Sequence, residues 1–149
     1  MKRLSLFAVF AAALMAGLVF LVPVEQSHAD EAAARSCLDS MVSGAIASGM
    51  RMRASDATNA GPQEAITYRV TLYKGLSYVL LGCADGDAVD LDMRLYDGEG
   101  NLVSNDQSPD AQPFVDVSPP HTGEYALQVL VYKSEAEKTD FAVAIAYMF

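Results

Sequence analysis

The sequence predicts an all-β fold, an antiparallel β-sandwich of about eight strands with jelly-roll or Greek-key connections and one N-terminal helix. Apolar and polar residues alternate with a period of two over short runs, as half-buried strands require. Clusters of Gly, Pro, Asp and Asn separate these runs at regular intervals. No helical segment lies between the runs, which excludes the βαβ crossovers of a parallel sheet.

The clearest of these runs lies between Asp90 and Asp106. The period of two predicts that one set of its residues faces the core and that the other faces water. The first set is Val89, Leu91, Met93 and Leu95, and the second is Asp90, Asp92, Arg94 and Tyr96. Segment 97–101 supplies turn residues, including two glycines that can adopt a positive φ. The run therefore predicts a β-hairpin.

The N-terminus has the pattern of a secretory signal sequence over residues 1–29. Lys2 and Arg3 precede a nearly unbroken apolar run, and Ser27-His28-Ala29 places small residues where signal peptidase cleaves. We expect a mature chain that begins at Asp30, is secreted or periplasmic, and has no stable membrane span after signal cleavage. An uncleaved anchor is the alternative, because the apolar run is long enough to cross a bilayer.

The charge and the cysteines restrict the class of protein further. The chain has 10 basic and 19 acidic residues and a formal net charge of −9, which argues against nucleic acid and anionic membrane surfaces as partners. The two cysteines, Cys37 and Cys83, are an even number in an exported chain, which favours a disulfide. Two separately buried thiols are the alternative.

Residues 30–54 are expected to form a helix and a short edge strand before the sandwich of residues 55–149. The segment from Glu31 to Ser48 is rich in alanine and repeats apolar residues at a helical spacing, and Gly49 is a plausible stop. We expect this helix to lie across the domain, attached by Cys37; a partner-binding helix is the alternative. Residues 50–54 predict the edge strand, and residues 55–63 have the composition of a loop.

The remaining strands are predicted from the same alternation of apolar and polar residues. They cover 66–72, 76–83, 89–96, 113–117, 124–132 and 140–149. The strand 76–83 is apolar on both faces and is therefore expected to be central. One face of the last strand consists largely of alanines, which predicts that another element, with the helix as the candidate, packs closely over it.

Several segments, taken in order, resemble the bacterial pre-peptidase C-terminal (PPC) domain. They are the strand-Gly-strand run 68–78, the acidic strand with its D-G-E-G-N turn at 90–103, Asp106, Pro113, and T-G-E-Y-A-L-Q-V at 122–129. The resemblance covers Ile66 to Phe149. It implies a non-catalytic β-sandwich of exported proteins, associated with secretion, surface attachment or substrate binding, and some relatives bind collagen or calcium. In the family the domain usually follows a peptidase, whereas a helix precedes it here.

The residues that catalysis would need are poorly represented. His121 lies in a Pro-Pro turn, and the sequence has neither a G-x-S-x-G nor an H-E-x-x-H motif. We therefore expect a protein that is not an enzyme. The alternative is a secreted hydrolase that uses acidic loop residues, since paired carboxylates are plentiful.

Calcium is the candidate metal, because it binds carboxylate and carbonyl oxygens, and no other cofactor is expected. Acidic residues cluster before and within the predicted hairpin, although their spacing does not match an EF-hand. The predicted ligands are Asp85, Asp87, Asp90, Asp92 and Asp106. The alternative is that these residues only form turns on an acidic surface.

Tyrosines and arginines at outward positions of the strands are the candidate ligand-binding residues. They are Arg69, Tyr73, Arg94, Tyr96 and Tyr132. If they share one face, they can bind a polysaccharide, a peptide or an envelope protein; ordinary cross-strand packing is the alternative. The sequence thus predicts a module for binding or scaffolding at the cell envelope or outside the cell. A purely structural envelope component is the other non-catalytic alternative.

Overall fold

The computed structural model describes residues 26–149, with side chains from Asp30 onward. The predicted signal sequence therefore lies, over residues 1–25, outside the described residues. Helix α1 spans Gln26–Ala47, and so begins earlier than the predicted start at Glu31. No helix within the described residues is long and apolar enough to cross a membrane.

Eight strands follow the helix and form two antiparallel sheets. They are β1 (Arg51–Ala60), β2 (Ala65–Leu72), β3 (Ser77–Ala84), β4 (Ala88–Tyr96), β5 (Leu102–Asp106), β6 (Phe114–Val117), β7 (Gly123–Ser134) and β8 (Thr139–Met148). Sheet A has the order β1-β8-β3-β6, and sheet B has the order β2-β7-β4-β5. This is jelly-roll order, because the strands pair as β1 with β8, β2 with β7, β3 with β6 and β4 with β5. The predicted fold class is confirmed.

The main core lies between the two sheets and is built from the inward side chains of both. On β7 these are Tyr125, Leu127, Val129 and Val131, each no more than 2% exposed. On β4 they are Leu91, Met93 and Leu95, which confirms most of the predicted alternation in the hairpin. Each such side chain contributes about 1.5–3 kcal/mol through removal of apolar surface from water.

A second apolar layer joins α1 to the outer face of sheet A. Ala34, Leu38 and Val42 form the helix stripe, and they pack against Leu81, Cys83, Ala142 and Ala144. A disulfide links Cys37 to Cys83 across this layer, with the two Cα atoms 5.9 Å apart. The chain-entropy model assigns such a cross-link about 4 kcal/mol. The predicted disulfide, the docked helix and the central position of β3 are confirmed.

Strand β1, which forms one edge of sheet A, is longer than predicted. Strand β1 pairs with β8 from Arg51 opposite Tyr147 to Ala60 opposite Thr139, with a bulge between Met52 and Ala54. The predicted loop from Ser55 is therefore wrong as far as Ala60. An edge strand tolerates polar residues such as these because much of it remains exposed, so pairing with β8 outweighs their turn-forming composition.

Strand β4 departs from strict alternation at its start. Register shifts fall between Ala88 and Asp90 and between Asp90 and Leu91. These irregularities leave Val89 38% exposed, although it was predicted to face the core. Asp92 was predicted to face water but is only 4% exposed, because it lies on a central strand beneath neighbouring side chains.

Candidate ligand-binding face

The outer face of sheet B is the open face of the sandwich. Helix α1 packs against β1, β3 and β8, all strands of sheet A, and within residues 26–149 no helix covers sheet B. Four of the five predicted ligand-binding residues lie on this open face. They are Arg69 on β2, Arg94 and Tyr96 on β4, and Tyr132 on β7.

A first depression lies near the β4–β5 turn. Arg69 and Tyr96 are both cross-strand partners of Ala126, whose small side chain leaves space between them. The lining also includes Glu124, Gln128 and the turn residues Asp97, Gly98 and Gly100. Arg69 Nη1 pairs with Glu124 Oε1 at 2.6 Å, and both side chains remain exposed. An exposed pair of this kind adds little stability, so both groups are available to a ligand.

A second depression lies farther along the same face. It is lined by Asp90, Asp92, Arg94, Gln107 and Tyr132. Arg94 Nη2 donates to Asp92 Oδ2 at 3.3 Å, which places a charge partner beside the buried carboxylate. With its amide oxygen facing Arg94, Gln107 accepts from Nη2 at 2.6 Å. Tyr132, which also lines this depression, is 51% exposed.

The two depressions follow one line along β7. Tyr96 lies opposite Ala126, and Tyr132 is six residues farther along that strand, so the two tyrosines are separated by roughly 20 Å at the usual rise of a strand. The intervening surface carries Gln128 and Arg94, which are cross-strand partners. This arrangement suits an extended ligand better than a compact one.

Asp90 is the titratable group with the least satisfied environment on this face. Its Oδ1 is buried and accepts no hydrogen bond from the described residues. Burial raises the pKa of the Asp90 carboxyl, and the negative charges of Asp92 and Asp110 raise it further, while Lys133 acts in the opposite direction. Asp90 therefore retains its proton to a higher pH than an ordinary aspartate does.

The predicted calcium ligands do not all lie together. Asp85 accepts hydrogen bonds from the backbone N–H groups of Asp87 at 3.0 Å and Asp140 at 2.8 Å, and so ties the β3–β4 turn to β8. Asp106 accepts from Ser108 and Phe114, both at 3.0 Å, and ties β5 to β6. Only Asp90 and Asp92 line a common depression. In the part of the chain from residue 26, no three His, Cys, Asp or Glu side chains form a group suited to a metal ion.

Two other predicted residues lie away from the open face. Tyr73 follows β2, is 48% exposed, and lies beneath the guanidinium of Arg53, whose Cζ is 5.6 Å from the ring centroid. His121 lies in the exposed turn before β7, with its ring 6.4 Å from that of Tyr125. The hydroxyl of Tyr125 donates to the carbonyl of His121, which indicates a structural role for this turn.

Sequence reasoning missed several residues that line the two depressions. Gln128 and Glu124 lie in the outward phase of β7, so the period of two could have identified them. Gln107 follows β5 in a polar loop, and nothing in the local sequence shows that it reaches Arg94. Its position depends on how β5 lies beside β4.

The sheet order identifies an antiparallel β-sandwich of jelly-roll topology. No family model matches the chain, and no curated protein matches it. Among solved structures, the chain is similar to Aeromonas hydrophila PliG, a periplasmic lysozyme inhibitor of g-type lysozyme. The two are 13% identical, the match covers 64% of this chain and 85% of that chain, and the TM-score is 0.48. The function proposed below rests on the residues of this chain.

Proposed function

We propose that this protein is an exported, non-catalytic binding module whose outer face of sheet B binds an extended polysaccharide. The observation that carries the proposal is the pair of depressions along β7, one lined by Tyr96 and one lined by Tyr132. A separation of roughly 20 Å, from the rise of a strand, spans several sugar units. The ring of a tyrosine offers an apolar surface and a hydroxyl, which together match the C–H face and the hydroxyls of a sugar.

The strands beneath the depressions favour a sugar chain over an extended peptide. Strands β4 and β7 are central in sheet B, so their backbone N–H and C=O groups are used within the sheet. A peptide that binds by adding a strand needs a free sheet edge instead. Recognition here must come from side chains, and Arg94, Gln107 and Gln128 present both donors and acceptors to hydroxyl groups.

Export is supported by two features of different kinds. The N-terminal 29 residues have the composition of a cleavable signal, and a disulfide forms and persists in an oxidising compartment. The order of motifs that resembles the PPC domain also supports an exported binding module. Its D-G-E-G-N turn is well formed, because Asp97 Oδ1 accepts from the backbone N–H groups of Glu99 and Asn101, each at 2.9 Å. Together these features support binding in the periplasm or outside the cell.

The proposal can be tested by affinity electrophoresis of the purified protein. The gels should contain neutral polysaccharides from the envelope or from outside the cell. We expect retardation by at least one polymer, and we expect Tyr132→Ala and Tyr96→Ala each to reduce it while the melting temperature changes little. Phe114→Ala is the matched control, because it removes a 55% exposed aromatic ring from β6 in sheet A. Equal losses in the control and in the two tyrosine variants would contradict the proposed face, and binding of peptides alone would contradict the ligand class.

A glycoside hydrolase is the second candidate, and the environment of Asp90 favours it. A carboxyl with a raised pKa beside a second carboxylate is the pair that general acid catalysis of glycoside cleavage requires. Release of reducing ends from a bound polysaccharide would support this candidate, provided that Asp90→Asn abolishes the release and leaves binding in place. Binding without release of reducing ends would support the non-catalytic module.

Calcium stays a prediction for the same depression. The carboxylates of Asp90 and Asp92 are the two predicted ligands that lie together there. Calorimetric titration with Ca²⁺ after chelation should release or absorb heat in the unmodified protein and not in Asp90→Asn, with Asp39→Asn on the exposed side of α1 as control. Absence of both heat and a thermal shift in the unmodified protein would exclude calcium.

A further inference from the structure

A concave pocket lies at the end of the sandwich where β1 begins and β8 ends. It is lined by Arg53, Tyr73, Leu76, Tyr78, Tyr147 and Phe149, and is called the arginine–aromatic pocket below. The rings form a connected set, with Tyr78 and Tyr147 6.3 Å apart and Tyr147 and Phe149 6.0 Å apart between centroids. Tyr73 and Phe149 are 48% and 86% exposed, so the outer rings are accessible to a ligand.

Two arginines at this pocket are held by rings rather than by carboxylates. The Cζ atom of Arg53 lies 5.6 Å from the ring centroid of Tyr73, and that of Arg51 lies 5.6 Å from the ring centroid of Phe149. Arg53 Nη1 also donates to the carbonyl of Thr71 at 2.6 Å. A guanidinium that lies over a ring can still donate from its edge, and the N–H groups of Arg53 that Thr71 does not use, with those of Arg51, can pair with a carboxylate.

Neither of these arginines forms an ion pair within the described chain. The ion pairs formed within residues 26–149 are Arg35–Glu31, Arg69–Glu124, Arg94–Asp92 and Lys138–Glu64. Arg51 and Arg53 take part in none of them, although the protein has 19 acidic residues and a net charge of −9. Two cations that form no ion pair among the described residues lie beside exposed rings, and together these groups suit an anion attached to a ring.

We propose that the arginine–aromatic pocket binds an acidic polysaccharide, with uronate carboxylates on Arg51 and Arg53 and sugar rings on Tyr73 and Phe149. A uronate carries its carboxylate directly on the sugar ring, so one residue of the polymer satisfies both a guanidinium and an aromatic face. An acidic peptide carries its carboxylates on flexible acyclic stems, so no single acidic residue supplies both a carboxylate and a ring. A flat lipid surface fits poorly into a concave site.

The net negative charge of the protein does not prevent this binding. At physiological ionic strength the Debye length is about 8 Å, so charges farther away than this are largely screened. Contacts at the pocket therefore outweigh the charge of distant faces, while the binding itself remains sensitive to salt. The pocket shares no residue with the two depressions on sheet B, so this proposal is independent of the one above.

The proposal can be tested by calorimetric titration of the full chain with polygalacturonate at low and at high salt. A neutral galactan serves as the comparison polymer. We expect binding that weakens with salt, and a decrease in affinity of about tenfold for each arginine removed in the double variant Arg51→Gln/Arg53→Gln. The matched control is Arg35→Gln/Lys138→Gln, which removes the same charge from exposed positions elsewhere. Tyr73→Ala should weaken binding without any loss of arginine charge.

Four results would overturn the proposal. They are failure of polygalacturonate to bind at low salt, equal weakening in both double variants, loss of binding in Tyr132→Ala with none in Arg51→Gln/Arg53→Gln, and binding to anionic lipid vesicles in place of the polymer. The melting temperature of each variant shows whether it is folded. If the arginine variant is not folded, Tyr73→Ala tests the proposal in its place. Unchanged affinity for polygalacturonate in Tyr73→Ala would overturn the proposal.

Discussion

At the scale of single residues, Asp90 on the proposed binding face lowers the stability of the fold. One of its carboxylate oxygens is buried without a partner, and Asp92 and Asp110 repel its charge. The folded state therefore binds the Asp90 proton more tightly than the unfolded state does. The stability of the fold is expected to decrease, through this group, as the pH rises from the usual value of 3.8 through the raised pKa.

Asp90→Asn should accordingly stabilise the protein at pH 7. The charge is removed at a position where it is poorly solvated, so the urea midpoint of unfolding should rise. Below pH 3.8 the natural carboxyl is protonated in both states, and the advantage of the variant should disappear. Urea unfolding at the two pH values measures the effect. Asp87→Asn, in the exposed β3–β4 turn, is the control, and an equal gain in that variant would contradict the explanation.

A second prediction at this scale concerns Gly100. It lies in the β4–β5 turn with a φ of 87°, a conformation that a Cβ atom disfavours. Gly100→Ala should lower the free energy of unfolding by about 1–2 kcal/mol through backbone strain. Gly86→Ala is the control, because Gly86 also lies in a turn, has an ordinary φ and has space for a Cβ atom. Urea unfolding of both variants measures the two changes in the free energy of unfolding. Equal losses in the two variants would contradict backbone strain as the cause.

At the scale of elements, the alanines of β8 determine how closely α1 approaches sheet A. Ala142 and Ala144 are fully buried beneath the helix, and the helix contributes Ala34 at the same layer. Small residues on both sides let the two backbones come close, and the Cys37–Cys83 disulfide holds them there. The helix thus buries one sheet face that would otherwise be apolar and exposed.

Ala144→Leu should force the helix away from the sheet. Overpacking a buried site of this kind costs about 1–3 kcal/mol. The matched control is Ala126→Leu, because Ala126 lies on the open face of sheet B, where no helix packs within the described residues. Thermal and urea unfolding should show a large loss for Ala144→Leu and a small change for Ala126→Leu, and the reverse order would contradict the assigned layers.

At the scale of the whole molecule, the two outer faces of the sandwich differ in kind. Sheet A is covered by α1, whereas sheet B exposes two depressions in line. The predicted consequence is that affinity depends on the length of the ligand. For oligosaccharides of the polymer that binds, affinity should increase with each added sugar unit until the chain spans roughly 20 Å, the distance estimated from the rise of a strand. Longer oligosaccharides should gain little further affinity. Calorimetry on a length series measures this, and equal affinity for a disaccharide would contradict a two-depression site.

Much of the fold follows from the sequence because periodicity is a local property. The alternation in β7 and β8, the apolar strand β3 and the helical stripe around Leu38 each indicate an element without knowledge of its neighbours. Strand β1 could not be delimited in this way, because its Ser, Asp, Thr and Asn residues favour turns and only pairing with β8 makes them a strand. The exposure of Val89 at the irregular start of β4 could not be predicted for the same reason, because the register shifts there belong to the pairing of β4 with β7.

The sequence by itself determined the class of fold, favoured the pairing of the two cysteines, and supplied most of the candidate ligand residues. The tertiary structure decided which of those residues share a face, because convergence depends on register across strands that lie far apart in the chain. It brought Arg69 and Tyr96 together across Ala126, and it placed Tyr73 with Arg53 at the other site. It also buried Asp92, since a residue on a central strand is covered by neighbours that its own segment does not contain.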